Sequence, residues 1–399
     1  MVTHSPRSRA RAGLATRPRR GIALVLSIVA IVVIGALIGG AFFSSSQEYR
    51  IGRNSIVEQR AFAAAEMGVN NALLRYGPGS NALIPVTLGN PGDTNQFVTV
   101  TPMGDSAQVT VTRLTNNAIW ISSAGSAGQA LGGTRSVRRT NLLMNVTRPD
   151  IDIAGAITTA GNVKVQGAAK ISGMDNAPSG WTDCDLGAES DTAGIAVAPG
   201  MSVTMPGSTT AVTGNPPLVY DPNAADTTTY SHYGSLTWDV LKANANIRIS
   251  SDPNPLPQGT ATTCDRSGAF AITNWGEPFR AGTGVVAGCQ NYFPIIYADG
   301  DLHMNANSRG QGILLVEGSL IVNGTFDFVG VIIARNDIKA AKGDMKVTGA
   351  MLSRNIDLTD NTSAAGSSTV NYSSCAVSAV TNGVAVVTPV RDRSWAQMY

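Results

Sequence analysis

The sequence predicts an α+β chain: one long N-terminal helix, a small antiparallel β-sheet, and a Gly-rich C-terminal region built as a β-solenoid of the parallel β-helix kind. Three observations carry that expectation. An uncharged run, GIALVLSIVAIVVIGALIGGAFF, fills residues 21–43 and leads without a proline break into an alanine-rich stretch. Short segments between residues 97 and 146 alternate apolar and polar side chains. Beyond Asp150, glycines return at intervals of six.

A helix rises ~1.5 Å per residue, so the 23 uncharged residues match the ~30 Å hydrocarbon core of a bilayer, where a helix satisfies its own backbone. Residues 1–20 hold Arg7, Arg9, Arg11, Arg17, Arg19 and Arg20 and no acidic residue, which by the positive-inside rule keeps this leader in the cytoplasm and exports the chain beyond Phe43. A cleaved secretory signal has an apolar region of only ~7–15 residues and an A-x-A-like end; this run ends in Gly39-Gly40-Ala41-Phe42-Phe43. Arg19-Arg20 reads as orientation charge rather than a twin-arginine signal.

The helical signal continues past the membrane. From Gln47 to Tyr76 there is no proline, alanines stand at 61, 63, 64, 65 and 72, and Phe62, Ala65, Val69, Ala72, Leu73 and Tyr76 form one apolar stripe. Gly77-Pro78-Gly79 supplies the stop, giving a single helix over 22–76. Phe62, Val69 and Leu73 are the expected contacts with the sheet.

Arg20-Gly21 precedes Ile22-Ala23-Leu24-Val25, the uncharged run comes next, and then Glu58-Gln59-Arg60-Ala61-Phe62-Ala63-Ala64-Ala65-Glu66-Met67-Gly68. Over residues 19–76 the chain resembles the PilX-type minor pilins of type IV pilus assembly. The resemblance implies that a prepilin peptidase cuts after Gly21, so that the mature chain starts at Ile22. It also implies that the apolar helix, with Leu24, Leu26, Val33 and Ile38, packs against other pilins in a filament. Major pilins carry a glutamate at the fifth residue after the cut, where this chain has Leu26. A carboxylate in hydrocarbon is costly unless paired, so its absence fits a minor or initiating subunit.

Charged residues make up 14% of the chain and glycines number 43, a composition that favours turn-rich β structure beyond Tyr76. The chain is +2 overall and the leader alone +6, which leaves residues 22–399 at −4 and without a basic face for nucleic acid. Arg135, Arg138 and Arg139 read as a solvated strand face.

Residues 97–146 predict four strands, Phe97 to Thr101, Gln108 to Leu114, Ala118 to Ser122 and Thr134 to Val146, separated by Met103-Gly104-Asp105, Thr115-Asn116-Asn117 and a Gly-rich stretch from Gly125 to Gly133. A single sheet cannot bury its apolar face alone, so the outer half of the helix is expected to lie on it. Beyond it, Gly161, Gly167 and Gly173, then Gly312, Gly318, Gly324 and Gly330, then Gly343 and Gly349 punctuate short β-branched runs such as 313–316 and 331–333. In a parallel β-helix, glycine turns the corner of each coil and inward Val, Ile and Leu stack into one core. An antiparallel sandwich with glycine turns is the rival arrangement.

The expected organisation is a basic leader at 1–21, the helix at 22–76, the antiparallel sheet of the head at 77–149, the solenoid-like region at 150–390 and a tail at 391–399. Residues 174–298 read as an irregular insertion. They contain Trp181, Trp238, Trp275 and three of the four cysteines, a short helical signal at Ser235 to Ala245, and loops at Asn215-Pro216-Pro217 and Pro253 to Pro257.

No catalytic site, metal site or cofactor is expected. His4, His232 and His303 form no pair with metal-ligand spacing, and no nucleophile elbow, P-loop or dinucleotide motif occurs. The acid pairs Asp183/Asp185 and Asp299/Asp301 read as solvated loop carboxylates, although parallel β-helices host carbohydrate enzymes. Cys184, Cys264, Cys289 and Cys375 all lie beyond the apolar run, where disulfides persist, and none has C-x-x-C spacing. Of three connectivities, Cys264–Cys289 closes the shortest loop and leaves Cys184–Cys375.

Together these readings point to a minor pilin-like structural subunit serving the assembly, priming or tip adhesion of a type IV pilus or pseudopilus. Its expected partners are other pilins, the prepilin peptidase, the inner membrane and a surface or carbohydrate ligand. It would sit in the bacterial inner membrane as a single pass, N-terminus cytoplasmic and head periplasmic, and then on the pilus. The alternative is a single-pass anchored solenoid that binds or cleaves polysaccharide. Val33→Arg, at the middle of the apolar run, is expected to cost about 2.5–3.5 kcal/mol of insertion free energy. Quantifying the protein in the membrane fraction checks it, and an unchanged yield rejects a spanning helix.

Overall fold

A computed structural model describes residues 22–76, 88, 91–115, 117–128, 135–182, 184, 191–205, 211–358, 368–384, 386–390 and 395–398. One helix, α1 (Ile22–Tyr76), runs through the apolar run and the alanine-rich stretch without interruption. Four strands come after it as an antiparallel meander: β1 (Thr94–Val100), β2 (Ser106–Thr115), β3 (Ala118–Ala127) and β4 (Ser136–Thr147). Their alternation is that of a half-buried sheet. Val109 pairs with Phe97 and Ser123, Val111 with Ile121, and Ile121 with Leu142. The inward residues Val109, Val111, Ile119, Ile121, Leu142, Met144 and Val146 close over Val69, Ala72 and Tyr76 of α1.

The sheet does not end at β4. Val386–Pro389 and Trp395–Met398 both pair antiparallel with β4, so 395–398 of the expected tail and the last residues of the expected solenoid region are the closing strands of this first sheet. Left alone, β4 would present an open edge of unpaired backbone groups, and the returning chain covers it. Pro389 is tolerated because it lies on the strand added at the border.

Between β4 and the returning strands the chain forms three parallel ladders. The first joins residues 247–249, 295–298, 313–316, 331–334, 350–353, 157–159, 195–197 and 218–220 in that spatial order. The second joins 302–304, 320–322, 338–340, 356–358, 163–165 and 203–204, and the third 308–311, 326–329, 345–348, 369–372, 170–172 and 212–213. Every pair in these ladders is parallel, which the antiparallel sandwich does not allow. Ile295 pairs with Ile313 and Ile313 with Val331, a step of 18 residues, so the six-residue glycine interval is one third of a turn through all three ladders.

Spatial order departs from chain order. The chain joins the stack in its middle at 155–159, winds to one end at 218–220, crosses outside through 221–246, resumes at the far end with 247–249 and winds back until 351–353 pair with 157–159. This corrects the irregular insertion at 174–298, which holds strands at both ends of the stack. Those strands are only two to five residues long, too short to show a pattern of their own, and the six-residue glycine interval at 194 and 200 widens to seven at 207 and 214. The crossover at 221–246 and an excursion at 250–294 depart from the stack, and the described residues among 174–191 form no ladder strand.

The interior of the stack is Ile296, Leu314, Ile332 and Met351 from the first ladder against Leu302, Leu320, Ile338 and Ile356 from the second, with Phe326 and Phe328 from the third. The outer side of the first ladder is buried as well. Ile295, Ile313, Val331, Leu315, Ile333 and Leu352 lie under the helix Ser374–Gly383, Phe293, and Tyr233, Trp238 and Leu241 of the crossover. Burial on both faces is why 313–316 and 331–334 are unbroken apolar runs rather than alternating ones. A polar column runs beside this core: Asp301 Oδ1 accepts from Ser319 N at 2.7 Å, Asn355 Nδ2 donates to Asp337 Oδ1 at 2.9 Å, and Asn162 N donates to Asn355 Oδ1 at 3.1 Å.

The disulfides are Cys264–Cys289, with Cα atoms 4.7 Å apart, inside the excursion, and Cys184–Cys375, at 5.5 Å, tying the chain after the first coil to the first turn of Ser374–Gly383. On a chain-entropy estimate each contributes about 3–5 kcal/mol.

Gly312, Gly330 and Gly349 stack in register with φ of 121°, 135° and 140°, and a Cβ on Gly349 would strike the carbonyl oxygen of Gly330. Gly349→Ala is therefore expected to cost about 3 kcal/mol or more, combining left-handed strain with overpacking against backbone. Gly300→Ala, where nothing lies within 4 Å, is expected to change stability by less than about 0.5 kcal/mol. Urea unfolding of both variants in detergent checks the contrast.

Candidate functional site

The two halves of α1 have opposite surroundings. From Ile22 to Phe43 every residue is exposed, including Ile22 (58%), Leu24 (69%), Leu26 (63%), Val33 (50%) and Ile38 (53%). So much bare apolar surface on one element marks a place where something other than water belongs. By length and composition this half is a candidate membrane anchor.

Burial begins at Val57 and continues through Ala61, Ala64, Ala65, Gly68, Val69, Ala72 and Tyr76. Val69 lies in the buried cluster between helix and sheet, Leu73 packs against that cluster while partly exposed, and Phe62 is half-buried. The centre is made of small residues because the helix crosses the sheet at backbone distance. A Cβ on Gly125 of β3 would strike Ala61 O and Ala65 N, and one on Gly68 would strike Ser123 Oγ and come within 2.9 Å of Val109 Cγ2. Bulky side chains fit only to either side.

Polar pairs flank this crossing. Arg60 donates to Asp105 through Nε at 2.9 Å and Nη2 at 2.8 Å, a two-pronged pair on a carboxylate only 6% exposed. Arg138 of β4 pairs with Glu58, and Arg135 Nε donates to Ser126 Oγ at 2.7 Å. The solvated face expected for Arg135, Arg138 and Arg139 is thus corrected at Arg138, which the docked helix brings within reach of Glu58. At the upper end Asn95 Nδ2 donates to Tyr76 Oη at 2.7 Å. Burial raises the Tyr76 hydroxyl above its ordinary pKa, only partly offset by Asn95 and Arg75. Arg113, fully buried, donates to Leu88 O at 2.8 Å, and burial lowers its pKa.

Sequence reasoning missed Gly68, Gly125 and the Arg60–Asp105 pair. Gly68 closes the alanine-rich stretch and Asp105 closes the Met103-Gly104-Asp105 turn, but nothing in either segment names its partner. The Gly-rich separator expected from Gly125 onward starts later, because β3 runs through Gly125 to Ala127.

The remaining candidates sit apart from one another. Asp301 Oδ1 is engaged by Ser319 N, His303 Nδ1 lies 3.2 Å from Asp252 on an exposed surface, and His232 Nδ1 lies 3.0 Å from Ser231 Oγ. Among the described residues no three His, Cys, Asp or Glu side chains gather as for a metal ion. Gly21, His4, Asp183 and Asp185 lie outside the described residues.

No family model matches this chain, and no curated protein matches it. Among solved structures it is similar to the competence-associated pilin ComZ from Thermus thermophilus, with 13% identity over 86% of this chain and 97% of that chain and a TM-score of 0.25. An overlap that loose does not assign a fold.

Gly125→Leu is expected to force α1 off the sheet at its tightest point and to lower stability by about 3 kcal/mol or more. Limited proteolysis between Ile56 and Tyr76 checks it, with faster cleavage than in the parent chain as the expected outcome.

Proposed function

We propose that this chain is a minor pilin-like structural subunit of a type IV pilus or related pseudopilus, of the PilX type, acting in assembly, priming or tip adhesion. The observation that carries the reading is the single unbroken helix, uncovered and apolar over its first half and locked to a folded head over its second. Such an element suits two apolar surroundings in succession: the bilayer, where its backbone needs no outside partner, and a bundle of like helices, where side chains replace lipid. The rigid continuation into the sheet passes any displacement of the helix on to the head.

The role is mechanical rather than catalytic. The protein is held as a single pass in the inner membrane, leader cytoplasmic and head periplasmic, until its helix packs with other pilins through the surface that includes Leu24, Leu26, Val33 and Ile38. Leu26 offers no carboxylate to a neighbour's new amino terminus, which favours a minor or initiating position over a repeating one. The three ladders are read as a β-solenoid, a stiff projecting body suited to presenting a surface.

Co-expression with a prepilin peptidase is expected to yield a mature chain whose first residue is Ile22. Gly21→Glu is expected to block that cut, because a side chain at this position keeps the peptidase from the backbone, and to leave a product heavier by the leader. N-terminal sequencing and gel mobility decide it; a variant that migrates with the cleaved parent chain rejects the reading.

A further inference from the structure

A cavity of about 490 Å³ lies where the crossover passes over the corner of the stack. It is lined by Ala160, Ala334, Arg335 and Arg354 of the stack and by Thr227, Tyr230 and Ser231 at the short helix Thr227–Tyr230. The two arginines share a corner on neighbouring coils, directly after the paired residues Ala334 and Ser353, and the ladder slips register between Ala334 and Asp337. Ala160 comes directly after Thr159, which pairs with Ser353, so one corner column reads Glu317, Arg335, Arg354, Ala160. The alanines leave the room that the cavity occupies.

The charge in this column is unbalanced. Glu317 is fully engaged: it pairs with Arg335, lies 3.5 Å from Lys242 Nζ, and accepts from Tyr297 Oη at 3.0 Å and Trp238 Nε1 at 3.3 Å. That carboxylate therefore already faces two cations. Arg335 is held in place by Glu317 and by the Trp238 ring, 4.7 Å below its guanidinium. Arg354 makes no side-chain hydrogen bond or ion pair among the described residues. Asp337, which feels its charge, is already bound by Lys339 at 2.8 Å and Asn355 at 2.9 Å. One guanidinium is thus pre-positioned, and the other stands exposed without an ion-pair partner among the described residues.

We infer that this cavity is a binding site for a carboxylated saccharide unit, a uronate. The guanidinium of Arg354, with Arg335 beside it, takes the carboxylate, for which a planar fork of N–H donors is the matching partner. Tyr230 and the two alanines supply apolar lining for the C–H face of a sugar ring, and Thr227 and Ser231 supply hydroxyls for its polar edge. The volume falls in the range of small-ligand sites, and the mixture of cation, aromatic face and hydroxyl suits a ring bearing both C–H groups and oxygens better than a bare inorganic anion.

Isothermal titration calorimetry of the full chain in detergent, with a glucuronic-acid oligosaccharide, a glucose oligosaccharide and inorganic phosphate as separate titrants, tests the assignment. The glucuronate oligomer is expected to bind and the glucose oligomer to bind at least tenfold more weakly. Arg354→Ala is expected to lose at least tenfold in affinity, and Ala160→Leu, which adds bulk to the lining, to abolish binding. Unchanged circular dichroism and both disulfides by non-reducing peptide mapping show that the variants fold. Absence of binding by the parent chain, equal binding of the neutral oligomer, or full affinity in Arg354→Ala overturns the site. Phosphate binding without glucuronate binding overturns the saccharide.

Discussion

The close crossing of α1 over the sheet at Gly68 and Gly125 is the contact on which the rest of the molecule depends. At Gly125 strand backbone meets helix backbone with no side chain between them, and at Gly68 the helix backbone rests on Ser123 Oγ and Val109 Cγ2, so the register of helix on sheet is set by hard contact rather than by a deformable apolar layer. Above it Val69, Ala72 and Tyr76 engage the apolar inner face of the sheet; below it Arg60–Asp105 and Glu58–Arg138 keep the helix from rolling. The exposed apolar half is then a straight continuation of a fixed element. Without that anchorage the first half would be a tether; with it, the helix and head move together.

The head obeys a different constraint. A parallel ladder has no tight hairpin to close it, so each strand must wait for the next coil, and burial on both faces supplies the stabilisation that local turns cannot. The inner side of the first ladder is closed by the other two ladders, and the outer side by the crossover and the helix Ser374–Gly383. Because the chain enters the stack in its middle and leaves it for the first sheet, strands distant in sequence seal both bodies: 351–353 meet 157–159 in the stack, and 386–389 meet β4 in the sheet. The Cys184–Cys375 bridge joins chain regions 191 residues apart within this arrangement.

Legibility in the sequence tracked the range of the signal. The helix over 22–76 was readable because its cause is local: apolar length, alanine content and the absence of proline. The four strands of the meander were readable to within a few residues because alternation is local too. The disulfide pairing came from loop length and elimination. By contrast, the small residues Ala61, Ala65 and Gly68 at the closest approach of helix and sheet were not singled out as contacts, since side-chain size says nothing of how closely two backbones approach. Arg138 looked like a solvated strand residue until α1 brought Glu58 to it. The strands at 193–197 and 218–220 were lost inside an irregular insertion because they are only five and three residues long and their pairing partners, 155–159 for the first and 195–197 for the second, lie tens of residues away.

The sequence by itself determined that an uncharged helix long enough for a bilayer leads into an amphipathic one, that a half-buried antiparallel sheet comes next, and that glycine-punctuated apolar runs lie beyond it. Each of these rests on the spacing of residues along the chain. Only the tertiary structure decided that the parallel ladders are ordered out of chain sequence, that 386–389 and 395–398 complete the first sheet, and that Glu317, Arg335, Arg354 and Ala160 share one corner. These are juxtapositions of residues tens to hundreds of positions apart, chosen by which buried faces and open edges could be closed, and no local pattern encodes them.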